Sequence, residues 1–300
     1  MTSLDPSPAV PVSAAPHRRQ LLDDEAEARF TREGYLVVDI AGPAEIAAAL
    51  DVFERYPSGI GSGYYVSIHS MSAEYKAAVH AELTDILWPG LDRLLDGYTS
   101  LVAAFTVKEH DGESVVPVHQ DWNTMVEDEV AGLTCWIPLT PVTELEGRFR
   151  LLPGSHRRLG RLRGSPGFPN PWEPISDQIA DELMVDVDVT LGQALIIDSR
   201  MLHTTPQNRS GRRRVAAYIN ALPAEVQPVH YYRCADGSVD AFAVDKGFFT
   251  SFTIGDRPQG EPFQHIEPYE EPDLTLDELR NLVPEEPVGP RRRRWPLRRR

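Results

Sequence analysis

Cysteine is scarce in this chain, with only Cys135 and Cys234 among 300 residues. The two stand far apart and in no CxxC arrangement, which argues against a disulfide-stapled scaffold and against a cysteine-built structural zinc site. No apolar run approaches the roughly 20 residues that a membrane-spanning helix needs. The opening stretch MTSLDPSPAVPVSAAP carries no basic segment followed by an apolar one, so no secretory signal is expected there and a reducing cytoplasm is the expected compartment. Internal repeats are absent. Positive charge is short as well: the formal net charge is −15, and seven arginines fall in the last ten residues, RRRRWPLRRR, which leaves −22 on the remainder. A body of that charge does not suit a nucleic-acid-binding surface, and nucleic-acid demethylation is disfavoured on the same ground.

What is present is ordinary for a soluble globular chain: 41% hydrophobic and 25% charged residues in a length that suits one large domain. Residues 1–20, rich in Pro, Ala and Ser, are expected to be a disordered leader. A helix over Asp23–Arg32, a stop at Gly34 and a strand over Tyr35–Ile40 follow. Ile46, Leu50 and Phe53 recur at helical spacing. Two more helical segments between 73 and 96 should break at Trp88–Pro89–Gly90. From about residue 101 to 222 the chain reads as short β-rich segments punctuated by Gly, Pro and Asp, the pattern of a β-sandwich or barrel. Between them, residues 157–178 form a long Pro/Gly loop, the type that serves as a functional lid. Residues 21–283 are thus expected to form a single domain, with helical support over 21–100, a β core over 101–222 and a C-terminal extension over 223–283. The tail, 284–300, is expected to be a disordered, solvated arginine run.

In VPVHQDWNTM, residues 116–125, His119 and Asp121 stand two apart on a predicted strand and so point to one face. An imidazole and a carboxylate converging on one point suggest a metal site lacking one ligand. His203, at the turn after the apolar segment GQALIIDSRML, supplies it. His17, His69, His80 and His265 fall in the leader, a loop, a helix and a late Pro-rich stretch, and His156 in PGSH reads as a turn-stabilising residue. Two histidines and one carboxylate that leave three positions open make the facial triad of non-haem Fe(II) oxygenases. An α-keto acid chelating that iron leaves a far carboxylate for a cation, for which the planar fork of arginine is best suited. Arg212, Arg213 and Arg214 are the candidates. Arg214, where the strand turns apolar, is favoured, because desolvation strengthens the pair there.

In their order along the chain, FTREGYLVV, VHQDW, TCWIPLT, EGRFRLLPGSH, GQALIIDSRMLH and PQNRSGRRRVAAY resemble the phytanoyl-CoA dioxygenase-like Fe(II)/2-oxoglutarate oxygenases over roughly residues 30–220. The resemblance implies a double-stranded β-helix, or jelly-roll, barrel with helices packed outside. It implies His119, Asp121 and His203 as iron ligands, Arg214 as the residue holding the far carboxylate of 2-oxoglutarate, and Trp136 and Lys108 as residues close to the cosubstrate. The implied activity is hydroxylation of an unactivated C–H bond of a small metabolite with O2, releasing succinate and CO2. Desaturation, epimerisation or cyclisation draw on the same oxidant, whereas halogenation is disfavoured because Asp121 is present. A metal-holding jelly-roll binding protein without turnover is the alternative from another class. For the substrate, Trp122 beside the HxD segment and Arg148 are the candidate contacts. Arg148 and Arg150 alternate on one strand face, either as a solvated face or with one of them reaching an anionic substrate group in the barrel mouth.

Overall fold

The computed structural model describes residues 18–56, 62–127, 130–157, 159–164, 167–268 and 275–282. The expected leader over residues 1–17 and the expected tail lie outside them. Residues 18–20, assigned to the leader, are packed: Arg18 pairs with Glu225 and Gln20 is 2% exposed.

Helix α1 (Asp24–Glu33) starts where the Asp23 side chain accepts from the Ala26 N–H and stops at Gly34, which takes φ +81°. A side chain at Gly34 would also collide with the His156 ring, its Cβ only 2.3 Å from Nδ1. Strand β1 (Tyr35–Asp39), α2 (Pro43–Arg55) and β2 (Tyr64–Val66) follow. Helix α3 (Ala73–Asp92) runs unbroken through Pro89, contrary to the expected break. Pro89 is exposed, so the carbonyl it leaves unpaired one turn back can be hydrated. Val79, Leu83, Leu87 and Leu91 meanwhile bury the opposite face of the helix and hold it together.

The β region consists of β3 (Tyr98–Lys108), β4 (Val116–His119), β5 (Leu133–Pro138), β6 (Phe149–Leu151), β7 (Val185–Val187), β8 (Gln193–Asp198), β9 (His203–Thr205) and β10 (Arg214–Pro223), with α4 (Ser176–Glu182) between β6 and β7. They form two antiparallel sheets, ordered β1-β8-β5-β10-β3-β2 and β4-β9-β6-β7. The chain passes repeatedly from one sheet to the other, which is the wrapping of a double-stranded β-helix. After it come β11 (Val229–Arg233), β12 (Val239–Ala243), α5 (Phe248–Ser251), β13 (Gln264–Ile266) and α6 (Leu276–Leu282), with β11, β12 and β13 in a third sheet.

Alternation along each strand decides what the large sheet presents to each side. Val215, Ala217, Ile219 and Ala221 of β10 and Ala103, Phe105 and Val107 of β3 pack against the helices. Each large side chain fully buried there contributes about 1.5–3 kcal/mol relative to exposure. Arg214, Ala216, Tyr218 and Asn220 turn the other way, into the barrel. Burial on both faces explains why these strands read as nearly continuous apolar runs. No helix among the described residues is long and apolar enough to cross a membrane.

Candidate metal and keto-acid site

Strands β4 and β9 lie side by side, and the pairing sets His119 opposite His203. Their ring centroids are 4.2 Å apart, and His203 Nε2 lies 3.8 Å from Asp121 Oδ1. One donor atom from each of the three residues falls within 4.8 Å of the others. Each histidine is oriented from behind: His119 Nδ1 is 2.9 Å from the Pro117 carbonyl oxygen and His203 Nδ1 is 3.0 Å from that of Met201. A carbonyl oxygen only accepts, so Nδ1 carries the proton and Nε2 keeps its lone pair for a metal. Desolvation, with the neighbouring His203 adding to it, pushes the His119 pKa down to about 4, which keeps the imidazole neutral and able to ligate. Phe149 stacks on His203 at 5.2 Å and 11°.

The carboxylate is held by a relay. The Thr134 hydroxyl donates to Asp121 Oδ2 at 2.7 Å, and the Asn220 amide donates to Thr134 Oγ1 at 2.7 Å. The backbone is fixed too, since Asp121 N donates to the Ser199 carbonyl and Arg163 Nε donates to the Asp121 carbonyl. Two imidazoles and one carboxylate clustered this way suit Fe(II) with an open face. Removing the hydroxyl that orients the carboxylate, in Thr134→Val, is expected to weaken Fe(II) or Co(II) binding by roughly 10- to 100-fold, the usual cost of losing an outer-shell partner. Metal titration of the variant measures it.

Of the three candidate arginines, Arg212 pairs with Glu146 and Arg213 with Glu109, both near the surface. Arg214 is 1% exposed. It donates from Nη1 to the Gly147 carbonyl at 2.8 Å and lies 5.5 Å over the Trp136 ring, while its Nε is buried without a hydrogen-bond partner. Among the described residues no carboxylate pairs with it. Desolvation lowers its pKa to about 10, so the guanidinium stays charged. Gly147 has φ +80°, and a Cβ there would come within 2.3 Å of the Pro206 carbonyl oxygen; only glycine lets this turn present its carbonyl to Arg214. A buried, incompletely satisfied guanidinium awaits an anion. Arg214 and the triad line one cavity of about 380 Å³, so the residues present fit both iron and a keto diacid.

Trp136 and Trp122 line this cavity. Lys108 does not. It is fully buried behind the wall, where Nζ donates to the carbonyls of Thr205 and Pro206. Desolvation, reinforced by the Arg214 charge, lowers its pKa to about 5. Between there and the ordinary lysine range the unfolded chain binds a proton that the folded chain does not, so stability should rise with pH through that window. Lys108→Met is expected to flatten that rise by up to about 1.4 kcal/mol per pH unit, the slope of one proton; urea melts at pH 6 to 9 measure it.

Arg148 corrects the expectation of a substrate contact. At the start of β6, Phe149 faces the cavity, whereas Arg148 before it and Arg150 after it do not line it. Arg148 pairs with Asp186 and Asp188, and Arg150 with Asp186 and Asp181, on the outer face of the small sheet. Sequence reasoning missed Tyr64, His69, Thr106, Thr134, Asn220, Phe249 and Phe252, all of which line the cavity. The signal available for three of them was an isolated polar residue within an apolar strand: Thr106 in β3, Thr134 in β5 and Asn220 in β10.

No curated protein sequence matches the chain. Several solved structures are similar to this chain. The α-ketoglutarate-dependent carbocyclase SnoK from nogalamycin biosynthesis is 20% identical over 82% of this chain and 97% of its own, with a TM-score of 0.50. EctD from S. alaskensis, crystallised with 2-oxoglutarate and 5-hydroxyectoine, is 19% identical over 69% of this chain and 78% of its own, at 0.49. HygX from Streptomyces hygroscopicus, crystallised with nickel and 2-oxoglutarate, is 16% identical over 68% and 88%, at 0.48. The family model for phytanoyl-CoA dioxygenase (PhyH) matches residues 30–216, a span that contains the triad and Arg214. The chain therefore belongs to the phytanoyl-CoA dioxygenase family of Fe(II)/2-oxoglutarate oxygenases.

Proposed function

We propose that the protein is an Fe(II)- and 2-oxoglutarate-dependent dioxygenase that hydroxylates an unactivated C–H bond of a small molecule. The observation that carries this is the placement of Arg214, a buried guanidinium without a carboxylate, on the same cavity as His119, Asp121 and His203. When bound, iron and 2-oxoglutarate supply the oxidising power, coupling O2 and decarboxylation of the keto acid to oxidation of the substrate.

The chain's own residues do the positioning. His119, Asp121 and His203 would hold the metal, three ligands that leave positions for the keto acid, O2 and substrate. Thr134 and Asn220 fix the carboxylate. Arg214 would hold the far carboxylate of 2-oxoglutarate through its planar fork. Trp136 and Phe149 close the wall behind and exclude water from that end.

The test is oxygen-dependent release of succinate from 2-oxoglutarate by the Fe(II)-loaded protein with ascorbate, alone and with candidate substrates. Succinate accompanied by a product that gains one oxygen atom supports hydroxylation. Loss of two hydrogens marks desaturation or ring closure, and unchanged mass marks epimerisation. Iron retention at the triad with no succinate under any substrate would instead support a binding protein without turnover.

A further inference from the structure

The strand register shows how the cavity is laid out. Arg214, Tyr218 and Asn220 lie along β10, and six residues of strand span about 20 Å. Arg214 marks one end. Asn220, towards the other end, reaches Asp121 only through the Thr134 hydroxyl. Around Asn220 the lining changes character: Val102 pairs with Asn220 across β3 and β10, and Ile68, Trp122, Phe249 and Phe252 cluster with Val102. Apart from Asp121, Arg214 and the histidines, the described residues of the lining carry no ionisable group other than the hydroxyls of Tyr64 and Tyr218.

The basic residues that could have recognised an anion are engaged elsewhere. Arg148 is on the outer face of the small sheet, Arg163 is clamped to Glu127, and Lys108 is spent on two carbonyls. The aromatic wall is also built in advance. Phe248 stacks on Phe252 at 4.8 Å, and Phe249 meets Phe252 edge-on at 6.0 Å. The buried ammonium of Lys76, 3% exposed on α3, donates to the Phe252 carbonyl and pins the end of α5. His69 stands at the mouth, where desolvation and then the Lys76 charge hold its imidazole below the usual range.

We propose that the end of the cavity remote from Arg214 is a substrate subsite for an uncharged, ring-bearing apolar molecule, held between Trp122 and the wall made by Ile68, Phe249 and Phe252. This rests on the oxygenase reading, because it places the substrate across the triad from the keto acid. A carboxylate seated there would lose its hydration and meet no cation in the lining, since the Lys76 ammonium lies behind the Phe252 ring and is committed to the Phe252 carbonyl, whereas a flat ring gains both apolar contact and ring packing. The expected substrate is therefore neutral where it enters the pocket, in contrast to the anionic substrate expected from Arg148.

A matched pair of probes tests this: methyl 2-naphthoate and 2-naphthoate, which share a ring system and differ in charge. Calorimetric titration of the Co(II)-loaded protein, with 2-oxoglutarate in excess to occupy Arg214, is expected to show the ester binding at least roughly tenfold more tightly, given the cost of burying an unpaired carboxylate. Phe249→Ala is expected to weaken the ester by about tenfold, the contribution of one buried ring, and to leave the visible Co(II) band of the triad unchanged. Equal or tighter binding of the carboxylate, or no binding of the ester while the Co(II) band is intact, overturns the subsite. Absence of the Co(II) band with selective ester binding retained would count against the oxygenase reading and leave the subsite standing.

Discussion

Asp121→Ala is expected to lower 2-oxoglutarate turnover by at least about a thousandfold and to release the metal, because it removes a proposed primary ligand, and loss of an outer partner alone typically costs about 10- to 100-fold. The loss should show first as metal binding, measured by equilibrium dialysis or the Co(II) spectrum, and only then as activity. His119 and His203 remain oriented by the Pro117 and Met201 carbonyls, so the variant keeps two of its three ligands and its fold. Asp121→Asn separates charge from shape: the amide can still accept from Thr134 but brings no negative charge to the ion, and an intermediate loss is expected. Full retention of metal and turnover in the alanine variant would remove the triad from the chemistry altogether.

The second large effect combines opposite signs. Arg214→Met is expected to raise the KM for 2-oxoglutarate by about 100-fold or more, since two charge-assisted hydrogen bonds of roughly 1.5–3 kcal/mol each are lost. The same substitution removes a buried cation whose Nε has no partner. The melting temperature of the metal-free protein should therefore stay level or rise, because a desolvated charge without a counter-ion is itself destabilising. Few substitutions of a fully buried arginine carry that expectation, and a mere structural role would give the reverse. Arg214→Lys keeps charge but loses the fork, and should recover part of the KM loss. Metal affinity should be unaffected in both variants. A large drop in melting temperature with an unchanged KM would show that Arg214 supports the barrel and not the keto acid.

The sequence made much of this site legible because a strand's period of two is a strict geometric constraint. The HxD spacing does bring His119 and Asp121 to one site, although β4 stops at His119 and Asp121 is fixed by its N–H on the Ser199 carbonyl, and the apolar run after Arg214 marks where charge becomes buried. The same constraint has a blind spot. Alternation shows that Arg148 and Arg150 share a face but not which face is inside, and acidic partners on the neighbouring strand β7 settle that question only in three dimensions. Residues from outside the 101–222 stretch were hidden for another reason. Tyr64, His69, Phe249 and Phe252 come from segments before and after the core, and no local pattern says that they close over one cavity. Pro89 was misread because a single breaker was weighed without the packed face on the other side of the helix.

The long segment between β6 and α4 is not an independent flap. Its Arg163 donates to the Asp121 carbonyl and to Glu127, its backbone N–H donates to the Asn123 side chain, and the Asn123 N–H donates back to the Arg163 carbonyl. A hand-sized handle has in effect been soldered to the bench on which the ligand sits. Grafting this loop from a relative, in order to import a new substrate preference, should therefore succeed when the splice points leave Arg163 in place, and should strip the protein of iron when they do not.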